Sequence, residues 1–291
     1  MSLDCALCLP IRTRGRRHTM KFIFFSLLLL AAASLSSETV VAGDTQSSVR
    51  TSVVEVCEFA HTTRDGASCS AVGIVMGGTS VSRKLTTSEL PEKWPVILPG
   101  GSEIGFFRAS SVGLRSTGGS VPRNWDLYLI ELQGGGERRI TNMEFYDCYG
   151  MSVSPDGRDI VFSAMLNEYP NDSYFELRII PAVSIPPGTK RFIGGRVLLH
   201  NGTHNILPVF SLDGKAVLYI AKSRRKRTLT EVINPFRGTV LFKWELCLLD
   251  IATGGVRVLD VSTNPIEGHR FLSGIKQITY RNDGQTQTVQ Y

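Results

Sequence analysis

From about residue 70 onward the apolar residues come in short runs rather than at helical spacing. "DIVFSA" from Asp159, "AVLYIA" from Ala216 and "EIGFF" from Glu103 are apolar on both alternating faces, as expected of strands covered on each side. Each follows a short apolar strand that ends at a turn. In "SPDG" Pro155 presets the bend, while Asp156 and Gly157 supply side-chain bonding and a positive φ. Asp213 and Gly214 repeat that pair, and Gly101 stands at the matching place in "PGGSE". A third strand follows, as "DLYLIEL" from Asp126, "ELRIIPA" from Glu176 and "ELCLLDI" from Glu245. Gly- or Pro-rich turns at 134–136, 186–188 and 254–255 lead to a fourth, "RRIT" from Arg138, "RVLLH" from Arg196 and "VRVLDV" from Val256. Gly194 and Gly195 carry no assigned turn, so substitution there is expected to cost less than at Gly157 or Gly214. Nothing in the body reads as a long amphipathic helix.

The order of signals is periodic. "MSVSPDGRDIVFSA" (151–164) returns 57 residues later as "PVFSLDGKAVLYIA" (208–221) and stands 56 residues after "PVILPGGSEIGFFR" (95–108). "RFLSGIKQITY" (270–280) is a poorer copy. Four short strands every ~55–60 residues predict the blade of a propeller, since one four-stranded sheet cannot bury two apolar faces alone. The predicted fold is all-β, a β-propeller of four-stranded blades. Its units are 91–143, 144–203 and 204–265, flanked by partial units 49–90 and 266–291. The blades number four if the two partial pieces complete one sheet between them and five if each forms its own. A piece of a larger propeller is the third reading.

The string P-x-[apolar]-S-P-D-G-[KR]-x-[IV]-x-[FY], followed by an "LYLIEL"-like strand, a Gly turn and "RRIT", resembles the TolB-type propeller repeat. It is similar in architecture to WD-repeat propellers, without their Trp-Asp ending. The resemblance covers about residues 70–291 and is strongest at 151–164 and 208–221. "AVGIVMGGTSVSRKLT" (71–86) matches the third strand, Gly turn and fourth strand of a first half-unit. Residues 43–70 are too few for the α/β domain that precedes the propeller in TolB, and the repeats exceed the usual length through insertions at 110–124 and 222–242. The resemblance implies a non-enzymatic scaffold that binds a protein or peptide partner in the cell envelope at the mouth formed by its inter-blade loops.

Residues 1–42 read differently. Arg12, Arg14, Arg16, Arg17 and Lys21 precede a 14-residue apolar run, 22–35, and "VVA" then offers a small-residue cleavage site before Gly43. The order predicts a cleaved signal peptide and a periplasmic or secreted propeller over 43–291. Loss of 1–42 lowers the net charge from +6 to +3, too mild a balance to point to nucleic acid. Four of the six cysteines remain, Cys57, Cys69, Cys148 and Cys247. A hairpin centred near Thr63 would set Cys57 opposite Cys69, within disulfide reach.

Candidate chemistry is sparse. There is no G-x-S-x-G, H-E-x-x-H, P-loop or dinucleotide fingerprint. His204, in "HNGTH", lies in an inter-blade connection. Asp147 occupies the equivalent place one repeat earlier, and His269 lies near it one repeat later. No cofactor is expected of a binding scaffold. A ring of Asp147, His204 and His269 at the mouth would hold a divalent metal in the alternative, a lyase-like propeller enzyme acting on glycans. "KSRRKR", with Lys222, Arg224, Arg225, Lys226 and Arg227, falls between the second and third strands of its blade and suits an anionic surface.

Overall fold

A computed structural model describes residues 54–62, 68–76, 82–114, 120–166, 174–183, 186, 189, 191, 193–224, 242–273 and 276–291. Residues 1–42, expected to be a signal peptide, therefore lie outside the described residues, as do Arg225, Lys226 and Arg227. The described residues form eighteen strands in five antiparallel sheets, each drawn from one contiguous stretch of chain. No helix occurs among them.

Sheet A holds β1 (Val54–Thr62), β2 (Ser68–Met76) and β3 (Ser82–Lys84). Sheet B holds β4 (Glu92–Ile97), β5 (Glu103–Leu114), β6 (Ser120–Glu131) and β7 (Arg138–Arg139). Sheet C holds β8 (Asp147–Val153), β9 (Asp159–Met165), β10 (Glu176–Pro181) and β11 (Arg196–Leu199). Sheet D holds β12 (His204–Phe210), β13 (Ala216–Arg224), β14 (Phe242–Asp250) and β15 (Val256–Ser262). Sheet E holds β16 (Ile266–Leu272), β17 (Gln277–Asn282) and β18 (Gln285–Gln290). The two partial units thus form sheets of their own instead of completing one together.

The doubly apolar strands are explained by what flanks them. In β5 Phe106 faces a core shared with sheet A, and its neighbour Phe107 faces one shared with sheet C. In β9 Ile160 and Phe162 pack toward sheet B, while Val161 packs toward sheet D. In β13 Val217 and Tyr219 meet sheet C, whereas Leu218 and Ile220 meet sheet E. Successive residues therefore belong to different cores, each filled side chain contributing about 1.5–3 kcal/mol. Charge also ties sheets together. Buried Glu92 accepts from the Val72 amide (2.9 Å), the Thr86 hydroxyl and Arg108 Nε (2.8 Å), joining sheet A to sheet B.

The turns between first and second strands repeat in detail. In sheet C the Ser154 hydroxyl donates to Asp156 (2.6 Å), whose carboxylate accepts the Arg158 amide (3.1 Å), and the Gly157 amide donates to the Ser154 carbonyl (2.9 Å). In sheet D the same bonds join Ser211, Asp213, Lys215 and Gly214 at the same three distances. Gly157 (φ 74°) and Gly214 (φ 71°) occupy the left-handed region, and Gly101 (φ 67°) does so in sheet B. Hydrogen bonds from Ser154 and the Arg158 amide hold Asp156 below its ordinary pKa, and Ser211 with the Lys215 amide does the same for Asp213.

Two expectations are corrected here. The β1–β2 register pairs Thr62 with Ser68 and so sets Cys57 opposite Gly73 and Cys69 opposite His61. The two cysteines stand four positions out of register, roughly 13 Å along the strand, too far for a bridge. Gly194 and Gly195 are more constrained than Gly157 and Gly214, not less. A Cβ on Gly195 (φ 76°) would lie 2.6 Å from the Ile179 carbonyl oxygen, and one on Gly194 would lie 2.1 Å from Met143 Cγ. The Arg178 guanidinium, donating to both their carbonyls (3.0 and 3.1 Å), draws this segment onto β10. Cys148 and Cys247 are buried free thiols, the second pushed up to about 11 by burial.

Candidate functional site

Antiparallel order places the inter-sheet connections and the links between second and third strands at one end of every sheet, here called the rim. The turns between first and second strands lie at the other end. At the rim β5 and β6 stay paired beyond the start of β4, from Ala109–Trp125 to Leu114–Ser120, so this hairpin projects past its first strand. In sheet D β13 and β14 likewise continue past His204 to the Arg224–Phe242 pair.

Near the rim, the first strands of sheets B to E carry the same irregularity, two residues facing one. Trp94 and Pro95 face Phe106, Tyr149 and Gly150 face Ser163, Leu207 and Pro208 face Tyr219, and Gly268 and His269 face Tyr280. Such a bulge bends the strand and re-aims its side chains, and a proline there sacrifices no ladder bond. Each bulge holds one residue at positive φ: Trp94 (57°), Gly150 (84°), Leu207 (54°) and Gly268 (58°). For Trp94 and Leu207 that backbone is costly, so packing must hold it. A Cβ on Gly150 would lie 2.9 Å from Leu207 Cα, which keeps the neighbouring bulges in contact.

The re-aimed side chains form a run of half-buried rings. Trp94 packs on Tyr149 (5.0 Å between centroids), Tyr149 on Phe175 (5.9 Å), and Phe175 on the His204 imidazole (5.7 Å), which also meets Tyr174 (5.3 Å). Across sheet D His204 pairs with Lys222 and Lys222 with Trp244. The Lys222 ammonium lies over Phe242 (4.1 Å) and Trp244 (4.8 Å). Lys93 lies over Trp125 (3.8 Å) and pairs with Asp147. All three tryptophans of the chain stand at this end. Three of these rings, Trp125, Phe175 and Trp244, directly precede the acidic residue that opens the third-strand strings. Reading back one position from "DLYLIEL", "ELRIIPA" and "ELCLLDI" would have found them.

The expected Asp147, His204 and His269 ring does not assemble. Asp147 accepts from Lys93 and from the Cys148 amide (2.8 Å). His204 is lodged among aromatic rings with Nδ1 buried and without a hydrogen-bond partner, and burial, then Lys222 and Arg224, lower its pKa. His269 is 7% exposed, donates from Nε2 to the Leu207 carbonyl (2.7 Å), and is driven down to about 4 by burial. Among the described residues no three His, Cys, Asp or Glu side chains come together to hold a metal ion. Asp147 and His204 stand at matching ladder places, opposite Met165 and Lys222, whereas His269 lies inside the bulge of its strand. Of the basic run, Lys222 is folded onto the rings and Arg224 is exposed.

No family model and no curated protein matches the sequence. Solved structures do match in shape. The nidogen/laminin complex aligns with a TM-score of 0.50 at 11% identity, over 78% of this chain and 69% of that one. A protein of Agrobacterium tumefaciens assigned as TolB aligns with a TM-score of 0.46 at 18% identity, over 71% of this chain. Oligogalacturonate lyase from Vibrio parahaemolyticus aligns with a TM-score of 0.45 at 14% identity, over 80% of this chain. The chain spans 61% of the Agrobacterium structure and 55% of the lyase. With five stacked antiparallel sheets and the nidogen/laminin structure aligned over most of the chain, the fold is a β-propeller.

Proposed function

We propose that this chain is an exported, non-enzymatic propeller whose rim docks a protein or peptide partner in the cell envelope. The observation that carries the reading is the run of half-buried rings Trp94, Tyr149, Phe175 and His204, which crosses three sheets where the connections lie. Rings with one face packed and one edge accessible supply contact area at low entropic cost, as binding surfaces require. The basic, apolar and small-residue order of residues 1–42 supports export to the periplasm or beyond. The metal-dependent glycan reading lacks a ligand set among the described residues.

Cross-linking in envelope fractions tests the reading. The wild-type chain should capture a partner that the Trp94→Ala, Tyr149→Ala double variant loses while still melting in one cooperative transition, at a lower temperature because both rings are half-buried. Capture that is indifferent to these substitutions, or a stoichiometric divalent metal in the purified chain, would overturn it.

A further inference from the structure

Two lysines of the rim have the same pose and different partners. Lys93 lies over Trp125 and has Asp147 as counter-charge. Lys222 lies over Phe242 and Trp244, and burial alone lowers its pKa, with no carboxylate among the described residues acting on it. A cation withdrawn from water without a counter-charge is held at a cost. Its surroundings add to the imbalance. Arg224, two residues on along the same face of β13, is exposed, and the nearby carboxylate of Glu245 is taken by Lys243 (2.7 Å). His204, directly opposite Lys222, keeps a buried Nδ1 with no partner. One end of the ring run is therefore positive, and its other end is aromatic with its lysine already neutralised.

We propose that the rim receives an acidic, extended protein segment, its carboxylates at Lys222 and Arg224 and its apolar side chains across Phe175, Tyr149 and Trp94. This rests on the docking function proposed above and names the chemistry of the partner. A carboxylate at Lys222 supplies the counter-charge that Asp147 gives Lys93, and charge complementarity then fixes the direction in which the segment lies. The rings contribute contact area that is indifferent to charge.

The probes are a short synthetic peptide alternating Glu with Leu and Phe, and its counterpart with Lys for every Glu. Binding to the full chain is followed by tryptophan emission, since Trp94 and Trp244 flank the two halves of the path. The Glu peptide should bind and weaken as salt is raised, while the Lys peptide should not bind. Lys222→Gln and Arg224→Gln should each weaken the Glu peptide about tenfold. Arg224, being exposed, gives a variant that folds even if Lys222→Gln does not. If both peptides bind equally and Tyr149→Ala abolishes both, the docking function stands and the acidic partner is wrong. If neither peptide binds, or rim substitutions change nothing, both readings fall.

Discussion

The turn end and the rim end of the same sheets are built by different rules. At the turn end Ser154, Asp156 and Gly157 in sheet C match Ser211, Asp213 and Gly214 in sheet D bond for bond. Every partner lies within a few residues, so the geometry is local and repeats wherever the string repeats. At the rim the bulge pair differs from sheet to sheet: Trp94-Pro95, Tyr149-Gly150, Leu207-Pro208 and Gly268-His269. Trp94, Tyr149 and Leu207 open the bulges of sheets B, C and D, and each packs on side chains of a neighbouring sheet. The repeat maintains the fold at one end and leaves the other free to differ, which is where a specific partner has to be read.

The largest effect expected is at Gly195. Valine there adds a left-handed β-branched residue and drives its Cβ into the Ile179 carbonyl, so the loss should be roughly 3–5 kcal/mol in a denaturant titration. A smaller loss would mean that the segment moves off β10 easily. Next comes the bulge of sheet E. The pKa of His269 is about 4 in the folded chain and 6.5 when free, so between those values the unfolded state takes up a proton that the native state refuses. Stability should therefore fall as pH drops from about 6.5 to about 4, by up to roughly 3 kcal/mol. His269→Gln, which keeps a donor for Leu207, should flatten that slope, and an unchanged profile would refute the assignment.

Gly157→Val and Gly214→Val sharpen the comparison itself. The nearest atoms to the new Cβ would be 3.8 and 3.5 Å away, so space is adequate and the cost is that of backbone strain, about 1–3 kcal/mol each. The two losses should agree, and a clear inequality would break the equivalence of the turns. The smallest expected change is at the rim, where Arg224→Gln should alter stability by less than about 0.5 kcal/mol while weakening the acidic peptide.

What could be read from the sequence follows the same division. The Asp-Gly turns, the strand order and the doubly apolar second strands were legible because each depends on neighbours in the chain. The β1–β2 register was misread because a hairpin's register is set by its turn. Moving the centre from Thr63 to Asp65 slides Cys57 past Cys69 to Gly73. The Asp147, His204 and His269 ring failed for a different reason. Asp147 and His204 do hold matching ladder places, opposite Met165 and Lys222, but Lys93 and the aromatic rings engage them, while His269 falls inside the bulge of its strand. The ring run crosses sheets, so no local pattern announces it. Its only trace is the aromatic residue ahead of each third-strand carboxylate.

The extra residue in each bulge has a further consequence for parity. Ile206 and Val209 both pack toward sheet E although an odd number of positions separates them, because the bulge between them reverses the alternation of sides. The first strands of sheets B to E are thus each two half-strands with opposite parity, coupled by a backbone clutch. Deleting Leu207 or Pro208 would restore a regular strand and turn one half inside out. Conversely, as long as the bulge is kept, residues on its rim side can be exchanged without disturbing the phase of the core below. A designer seeking a new specificity on this scaffold would cut at that junction.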